Sequence, residues 1–505
     1  MYKWIKVPVF LLVFVNIILC AWSVLHNTIY YYTDIGRDFL IFDEIVTKKF
    51  VIFGPRADMQ GLFHGILWHY LNVPAYILAN GNPVLVGWFW IGITVLFLGS
   101  VYYVVKRLFD EESALVALVL TSGSMVQLSQ GFFHGNGAML IMPLFFYSFI
   151  MYFRAQKVRY LVVHLITIGM MVQFEIALGV PLALLTVVAS TIVIFRKKAF
   201  THYATYLILI PFAATFLIIE FKYNFLQTQS FLSYLQGARD GGATMPFIVS
   251  FIDRLRNVGT HGVNIIAHPL HTLNFIYFAV LLSSIILSQI HKDSNRIIYK
   301  EFLYFYFGFY VLTMIHGGFL IMFWWLPMSM FPIMMFSSIH KYIPRFIFYG
   351  LVLLSVVFIT KQNISFAQNI SNSVETSSTS WRFRYSNTQI VVKDAPYDYG
   401  YFVYAPDIYG YQDKYALFYA NRVANKHGVA FEKRALTYVL SEPPPKDFTG
   451  SDVDWWVREK LKIMSKPVQI VKLNGEYEAR KYLLSKKDLM TPSLITVPTD
   501  WLFYR

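Results

Sequence analysis

Residues 84–107 read VLVGWFWIGITVLFLGSVYYVVKR, a predominantly apolar run that ends in two basic residues. About 20 such residues are needed to cross the hydrocarbon core of a bilayer as a helix. Comparable runs recur at about 4–25, 84–105, 113–130, 137–153, 159–175, 178–195, 203–220, 270–290, 301–316, 319–339 and 345–360. The pattern predicts an all-α polytopic membrane protein with about eleven transmembrane helices.

The composition supports this class. Of the 505 residues, 56% are hydrophobic and only 14% are charged, whereas soluble domains carry about 25% charged residues. The net charge of +14 comes largely from short basic clusters between the apolar runs, where positive-inside anchoring explains them. Membrane lipids are therefore the expected partner of these clusters, and no nucleic acid is required. Cys20 is the single cysteine, so the chain has no disulfide framework.

The connecting segments predict the orientation. If Lys3 and Lys6 are cytoplasmic, every second loop falls on the same side, and all five of these loops are basic. Their basic residues are Lys106/Arg107, Arg154/Lys157/Arg159, Arg196/Lys197/Lys198, Lys292/Arg296/Lys300 and Lys341/Arg345. Segment 130–136 between two of them has no Lys or Arg. We expect a multi-pass protein of the plasma (inner) membrane with a cytoplasmic N-terminus and an extracytoplasmic C-terminal segment.

Two domains are predicted. Residues 1–360 form the transmembrane part, with outer loops at 26–83 and 221–268. Residues 361–505 form a small α+β extracytoplasmic domain, which opens with a Ser/Asn/Thr-rich linker at about 363–380 and has a helix around 413–426. The chain shows no internal repeat, which gives no support to an inverted-repeat transporter.

The first outer loop contains a charged cluster. Asp34 and Asp38 are four residues apart and would share one face of a helix, with Arg37 beside them. A carboxylate can take a proton from an acceptor hydroxyl, and an arginine can hold a phosphate through two hydrogen bonds. The alternative is a helix-start cap with a surface ion pair.

The same loop continues with three short motifs: GP at 54–55, HGILWHYL at 64–71 and GNP at 81–83. Together with the acidic residue after the first helix, they resemble the bacterial GT-C membrane glycosyltransferases, the superfamily of protein O-mannosyltransferases and aminoarabinose lipid A transferases. The resemblance implies a GT-C-like fold and transfer of a hexosyl or pentosyl group from a polyprenyl-phosphate sugar, usually with inversion. The acceptor would be a protein, lipid or glycan, and the catalytic base would be Asp34, with Asp38 second.

A polyprenyl phosphate that leaves needs positive charge nearby. The candidates for the donor phosphate are Arg37, Arg56, Arg239, Arg254 and Arg256, chosen by charge and by the predicted side of the membrane. For Arg254 and Arg256 the alternative is an interfacial amphipathic helix with basic anchors.

Four further polar residues are predicted to face the same side and to bind substrate: His64, His69, His134 and Glu175. Glu175 could instead lie in water at a helix end. His64 and His69 are five residues apart, which places them on different helical faces, and segment 127–137 has no Asp or Glu. Oligosaccharyltransferases carry a paired acidic metal motif in that loop. The sequence therefore predicts no metal site, although a divalent cation stays open as a cofactor.

Two other functions were weighed against sugar transfer. A lipid-linked glycan transporter predicts charged residues near the bilayer midplane and broken helices, and the runs here are almost free of charge. A polysaccharide polymerase or ligase relies on basic outer-loop residues and has no large C-terminal domain. The C-terminal segment and the context of Asp34 favour the glycosyltransferase.

Overall fold

The computed structural model describes residues 2–57, 59, 61–235, 246–267, 271–406, 409–444 and 452–495. These residues form two compact units. The first, called the helical unit, consists of Met1–Ala21, Ile52–Leu71 and Trp90–Phe366, and the second, called the mixed unit, consists of Trp22–Val51, Asn72–Phe89 and Ala367–Arg505. The division of the chain at residue 360 stays a prediction.

Helices account for most of the described chain. In order they are α1 Tyr2–Cys20, α2 Trp22–Leu25, α3 Thr33–Lys48, α4 Leu67–Leu78, α5 Pro83–Leu108, α6 Glu111–Leu128, α7 His134–Ala155, α8 Val158–Phe174, α9 Ile176–Arg196, α10 Ile210–Lys222, α11 Leu226–Leu235, α12 Phe247–Ala267, α13 His271–His291, α14 Arg296–Leu312, α15 Met322–Trp325, α16 Met330–Phe336, α17 Arg345–Ser373, α18 Trp381–Asp394, α19 Tyr411–Val423, α20 Val453–Glu459 and α21 Lys486–Met490. Short 3-10 segments lie at Phe200–Leu209, Thr313–Ile315, Leu326–Ser329, Ile339–Lys341 and Asn474–Glu476.

Within the described ranges, seven helical stretches are long and apolar enough to cross a membrane. They are Pro83–Leu108, His134–Ala155, Ile176–Arg196, Phe200–Lys222, Leu273–His291, Met322–Lys341 and Arg345–Ser373. Lys6–Cys20 and Val158–Phe174 are shorter apolar helices. The prediction of a helical multi-pass membrane protein is confirmed, whereas the number of about eleven crossings stays a prediction.

The segment predicted as a polar linker differs from the expectation. α17 continues through residues 363–373, so the first half of the predicted linker is helical. Asn363 explains part of this difference, because its buried side-chain amide donates to the Gly123 carbonyl at 2.8 Å. This contact anchors the start of the polar segment on α6, and it is not visible in the loop-like composition of the segment.

Residues of the predicted cytoplasmic loops lie together in the helical unit. α6 begins at Asp110, whose carboxylate caps the helix by accepting from the Ser113 amide at 2.8 Å. The same carboxylate pairs with Lys341 at 2.7 Å. Glu111 pairs with Lys6 at 2.6 Å. The N-terminal helix and two of the basic loops therefore meet at the start of α6, which agrees with the prediction that they share one side of the membrane.

A mixed sheet forms the core of the mixed unit. In the part of this unit that the structure describes, the strands are β1 Asp398–Tyr404, β2 His427–Ala430, β3 Leu436–Ser441, β4 Gln469–Lys472 and β5 Glu478–Leu483. Their order is β2-β1-β3-β5-β4, with β1 parallel to β2 and β3, and β5 antiparallel to β3 and β4. This sheet confirms the small C-terminal α+β region.

The two faces of the sheet are covered by different helices. Tyr399, Tyr401 and Val403 alternate along β1 and belong to one apolar cluster, which includes residues of α18 and α19. Phe402 and Tyr404 point to the other face and pack with Val457 of α20. The alternation follows the two-residue period of a strand, and it buries most of β1 on both faces.

The helix of the first outer loop belongs to this mixed unit. Helix α3 packs against the start of α19, and the approach is so close that a Cβ atom on Gly36 would lie 2.8 Å from the Gln412 amide nitrogen. The Gln412 side chain donates to the Tyr31 carbonyl at 3.3 Å. Asp413, the next residue, pairs with Arg384 of α18 at 2.7 Å, and both side chains are buried. The charged cluster of α3 is therefore held by C-terminal helices.

Candidate functional site

The structure brings the first predicted cluster together on α3. Arg37 Nη1 lies 2.8 Å from Asp34 Oδ1, and Arg37 Nη2 lies 3.5 Å from Asp38 Oδ1. Asp34 is in the first turn of the helix, where a carboxylate is stabilised by the helix dipole. As predicted from their spacing, Asp34 and Asp38 lie on the same face of the helix.

The two carboxylates differ in their access to solvent. The Asp34 side chain is 32% exposed and the Asp38 side chain only 1%. A general base must reach a substrate hydroxyl, so Asp34 is the better placed of the two. Asp38 is placed to neutralise Arg37 inside the unit.

Arg37 carries its charge in a buried position. Burial alone would lower its pKa, but the neighbouring charges of Asp34 and Asp38 outweigh this effect, and the pKa of Arg37 is raised above its ordinary value. Its Nε–H is buried and has no hydrogen-bond partner among the described residues. The guanidinium therefore stays cationic and keeps one donor that a ligand oxygen or a water molecule could use.

A second cluster lies in the helical unit, where three residues from distant parts of the sequence meet. His64 Nδ1 lies 3.8 Å from Glu175 Oε1, and His134 Nδ1 lies 3.9 Å from Glu175 Oε2. The two imidazole rings are tilted by 37° relative to each other, with their centroids 4.3 Å apart. All three side chains are buried.

Backbone packing fixes the position of His64. Its amide donates to the Pro55 carbonyl at 2.9 Å, and an isolated β-bridge joins Arg56 to Phe63. A Cβ atom on Gly54 would lie 2.4 Å from the His64 carbonyl oxygen, so only glycine fits there. The Gly-Pro step at 54–55 therefore packs directly against the HG motif at 64–65 and holds the backbone that presents His64.

Helix termini fix the other two residues. His134 is the first residue of α7, and its Nδ1 lies 2.7 Å from the Phe174 carbonyl. Glu175 separates α8 from α9 and caps α9, with Oε1 accepting from the Ala177 amide at 3.4 Å. Both residues therefore lie where one helix ends or the next begins, and these are the positions at which the apolar runs are interrupted by polar residues.

The remaining predicted residues lie elsewhere. His69 is fully buried in α4 and is not part of the three-residue cluster. Arg56 lies in the hairpin before His64. Arg256 is exposed on α12, and Arg239 lies outside the described residues.

Arg254 has a clear structural contact. The side chain is buried, and Nη2 donates to the carbonyls of Thr313, His316 and Gly318 at 3.3, 2.8 and 2.8 Å. These carbonyls follow the end of α14, where helices leave unsatisfied acceptors. The guanidinium therefore caps the chain between α14 and α15, and phosphate binding by Arg254 stays a prediction.

Sequence reasoning missed the residues that hold α3. The Gln412 side chain donates to Tyr31 just before α3, and Asp413 pairs with Arg384. All three of these C-terminal residues lie more than 340 positions after Asp34. No local pattern connects them to the first outer loop. These residues are an amide at the start of a helix and a buried Arg–Asp pair. Their role in holding α3 becomes visible only once the fold is known.

The chain was compared with known protein families, curated proteins and solved structures. Residues 69–218 match the family model described as dolichyl-phosphate-mannose-protein mannosyltransferase. No curated protein matches the chain.

Three solved structures are similar over most of the chain. ArnT from Cupriavidus metallidurans bound to undecaprenyl phosphate has a TM-score of 0.62 at 10% identity, over 96% of this chain and 99% of ArnT. ArnT in the apo state has a TM-score of 0.58 at 10% identity, over 94% and 98%. The apo oligosaccharyltransferase of Archaeoglobus fulgidus has a TM-score of 0.47 at 12% identity, over 84% and 64%. The chain has an ArnT-like fold, and its predicted resemblance to the GT-C membrane glycosyltransferases is confirmed.

Proposed function

We propose that the protein is a membrane glycosyltransferase that moves a hexosyl or pentosyl group from a polyprenyl-phosphate donor to a protein, lipid or glycan acceptor. Transfer takes place on the extracytoplasmic face of the plasma membrane. Two similarities support the donor class. ArnT was solved with undecaprenyl phosphate, and the family model at 69–218 is named for enzymes that use dolichyl-phosphate mannose. Both are isoprenoid phosphates, so the common chemistry is a lipid phosphate ester.

The observation that carries the mechanism is the partly exposed carboxylate of Asp34 beside Arg37. Asp34 takes the proton of the acceptor hydroxyl as the acceptor oxygen attacks the anomeric carbon. The bond between that carbon and the phosphate oxygen breaks, and its electron pair leaves with the polyprenyl phosphate. The attack inverts the anomeric configuration. General base catalysis of this kind contributes about 10²- to 10⁴-fold to the rate.

Arg37 has two roles in this proposal. It fixes the orientation of Asp34 through the 2.8 Å ion pair, and its buried Nε–H remains as a donor for an oxygen of the substrate. Arg56 and Arg256 are further candidates for the leaving phosphate because they keep positive charge in the predicted outer loops. A fixed positive charge stabilises the negative charge that develops on a leaving group.

The test is sugar transfer by purified protein in lipid nanodiscs, with a panel of polyprenyl-phosphate hexoses and pentoses and with and without EDTA. Wild type is compared with Asp34→Asn and with the control Asp398→Asn. Asp398 is a half-exposed carboxylate that also has a cationic partner, Arg434, and it lies in the same unit. We expect transfer by wild type and the control and a loss of roughly 100-fold or more in Asp34→Asn.

Two results would contradict the proposal. Undiminished transfer by a folded Asp34→Asn protein would remove Asp34 as the base. Failure of the wild type to consume any donor of a broad panel would favour the polymerase, ligase or transport functions instead.

A further inference from the structure

The cluster of His64, His134 and Glu175 offers the ligands of a metal site. Each residue presents one nitrogen or oxygen atom, and these atoms lie within 4.8 Å of one another. We propose that the three residues bind a single divalent transition-metal ion, with Zn²⁺ as the ion that fits best. The proposal does not depend on the proposed sugar transfer.

The buried carboxylate requires a positive charge nearby. Glu175 is only 2% exposed, and a positive charge next to a buried carboxylate stabilises it. Both imidazole groups that face it are neutral unless they take up a proton. A divalent cation between the three groups compensates the carboxylate and leaves both histidines neutral, which is the form in which histidine binds metals.

The hydrogen bond of His134 selects the tautomer that a metal needs. A carbonyl oxygen can only accept, so the 2.7 Å contact with Phe174 places the proton on Nδ1 of His134. In this tautomer the lone pair is on Nε2. Metal-binding histidines characteristically donate their other ring nitrogen to a carbonyl or carboxylate in this way, which also fixes the ring orientation.

His64 presents a lone pair to the same centre. The Ile176 amide donates to His64 Nδ1 across 3.4 Å, so this nitrogen is an acceptor. It nevertheless lies 3.8 Å from Glu175 Oε1, which is also an acceptor. Two acceptors at this distance repel each other unless a cation or a proton lies between them, and the long amide contact is weak enough to be exchanged for a metal bond.

The ligand set narrows the choice of ion. Two imidazole nitrogens and one carboxylate suit Zn²⁺ and related transition metals, whereas Mg²⁺ and Ca²⁺ prefer oxygen ligands. In a tetrahedral zinc site with bonds of about 2.0–2.2 Å, the ligand atoms lie about 3.3–3.5 Å apart. The candidate ligand atoms lie within 4.8 Å of one another, so the cluster would need to contract by up to about 1.5 Å to reach that geometry. Three protein ligands leave a fourth position for water or an oxygen of a ligand.

The backbone around His64 is held in place by close packing and hydrogen bonds. A Cβ atom on Gly65 would lie 2.1 Å from Gln173 Oε1, and the same oxygen accepts from the Leu67 amide at 3.4 Å. Gln173 also donates to Thr215 Oγ1 at 2.9 Å. This network anchors the backbone on one side of the cluster, so the site is largely formed before an ion enters.

The experiment measures metal binding directly. The full chain is purified without a polyhistidine tag, stripped with a chelator and titrated with Zn²⁺, and bound zinc is counted by elemental mass spectrometry. We expect one zinc ion per chain. His134→Gln and Glu175→Gln should weaken binding by roughly 100-fold or more, because even the loss of a supporting group costs about 10- to 100-fold.

A surface histidine provides the control. His427 is exposed and lies 2.7 Å from Asp398, so it resembles an adventitious zinc-binding pair. His427→Gln should bind zinc as wild type does. X-ray absorption of the wild-type zinc complex needs no variant, and it should show nitrogen and oxygen ligands at about 2.0–2.1 Å with the scattering of two imidazoles.

Three results would overturn the proposal: no zinc bound by folded wild type, equal binding by Glu175→Gln, or a spectrum without imidazole ligands. In each case the cluster is a buried His–His–Glu group that does not bind a metal ion. Circular dichroism and size-exclusion chromatography establish that each variant is folded. Sugar transfer is not used as a readout, so a negative result here is distinct from failure of the proposed function.

Discussion

The α3 cluster of the mixed unit and the three-residue cluster of the helical unit differ in how the chain builds them. Asp34, Arg37 and Asp38 lie within one helix at spacings of three and four, and one carboxylate faces solvent. His64, His134 and Glu175 come from three chain segments and are all buried. The first arrangement suits a group that must meet a substrate. The second suits groups that hold an ion in place.

The largest expected effect is that a substitution in each cluster changes a different property of the protein. Asp34→Asn should lower sugar transfer by about 10²- to 10⁴-fold and leave zinc binding unchanged. Glu175→Gln should weaken zinc binding by roughly 100-fold or more. Transfer assays and zinc titrations on both variants measure this directly. If Asp34→Asn also lost zinc, the two clusters could not be treated as independent.

A second prediction separates the two arginines of α12. Arg254→Ala removes the donor for three backbone carbonyls, and we expect a loss of about 3 kcal/mol in unfolding free energy. Arg256→Ala, on the exposed side of the same helix, should change it by less than about 0.5 kcal/mol. Thermal unfolding in detergent compares them. Equal stability of the two variants would contradict the capping role of Arg254.

A third prediction sharpens the assignment within α3. Asp38→Asn leaves Arg37 buried with one carboxylate partner instead of two, so we expect a loss of about 2 kcal/mol in stability. The transfer rate per folded molecule should stay within roughly tenfold of wild type. Unfolding curves and active-site-normalised rates are measured together. A stable Asp38→Asn protein without transfer would make Asp38 the base.

The smallest effect concerns the contact that holds α3. Gly36→Ala places a methyl group 2.8 Å from the Gln412 amide nitrogen, and this overpacking should cost about 1 kcal/mol or more. Gly92→Ala is the matched control, because no atom of the described residues lies within 4 Å of that Cβ position. There alanine should be neutral or stabilising by about 0.5–1 kcal/mol. Equal melting temperatures would show that α3 and α19 do not pack this closely.

Local patterns predicted much of this molecule. The apolar runs predicted helices because a membrane-crossing helix needs a long apolar sequence, and the four-residue spacing predicted the shared face of Asp34 and Asp38. The helix expected around 413–426 is α19, at Tyr411–Val423. The prediction of a linker at 363–373 was wrong, because these residues are helical. The packing of Asn363 against Gly123 cannot be predicted from composition.

The three-residue cluster illustrates what local patterns omit. His64, His134 and Glu175 were each singled out from the sequence, but as separate substrate-binding groups. The spacing argument compared His64 with His69, whereas the histidine that lies beside His64 is His134, which is 70 residues further along the chain. Proximity of this kind depends on how helices pack, and a single sequence does not contain it.

The packing of α3 against α19 also determines when the first outer loop can become ordered during protein synthesis. Tyr31 and Gln412 are hydrogen-bonded although 381 residues separate them. At about 5–20 residues per second, the ribosome needs roughly 20–75 s to make the intervening chain. During this interval the first outer loop lacks the helix that orders it. A chain cut short before residue 411 therefore keeps Asp34 but lacks α19, so only chains that extend through α19 acquire an ordered α3 cluster.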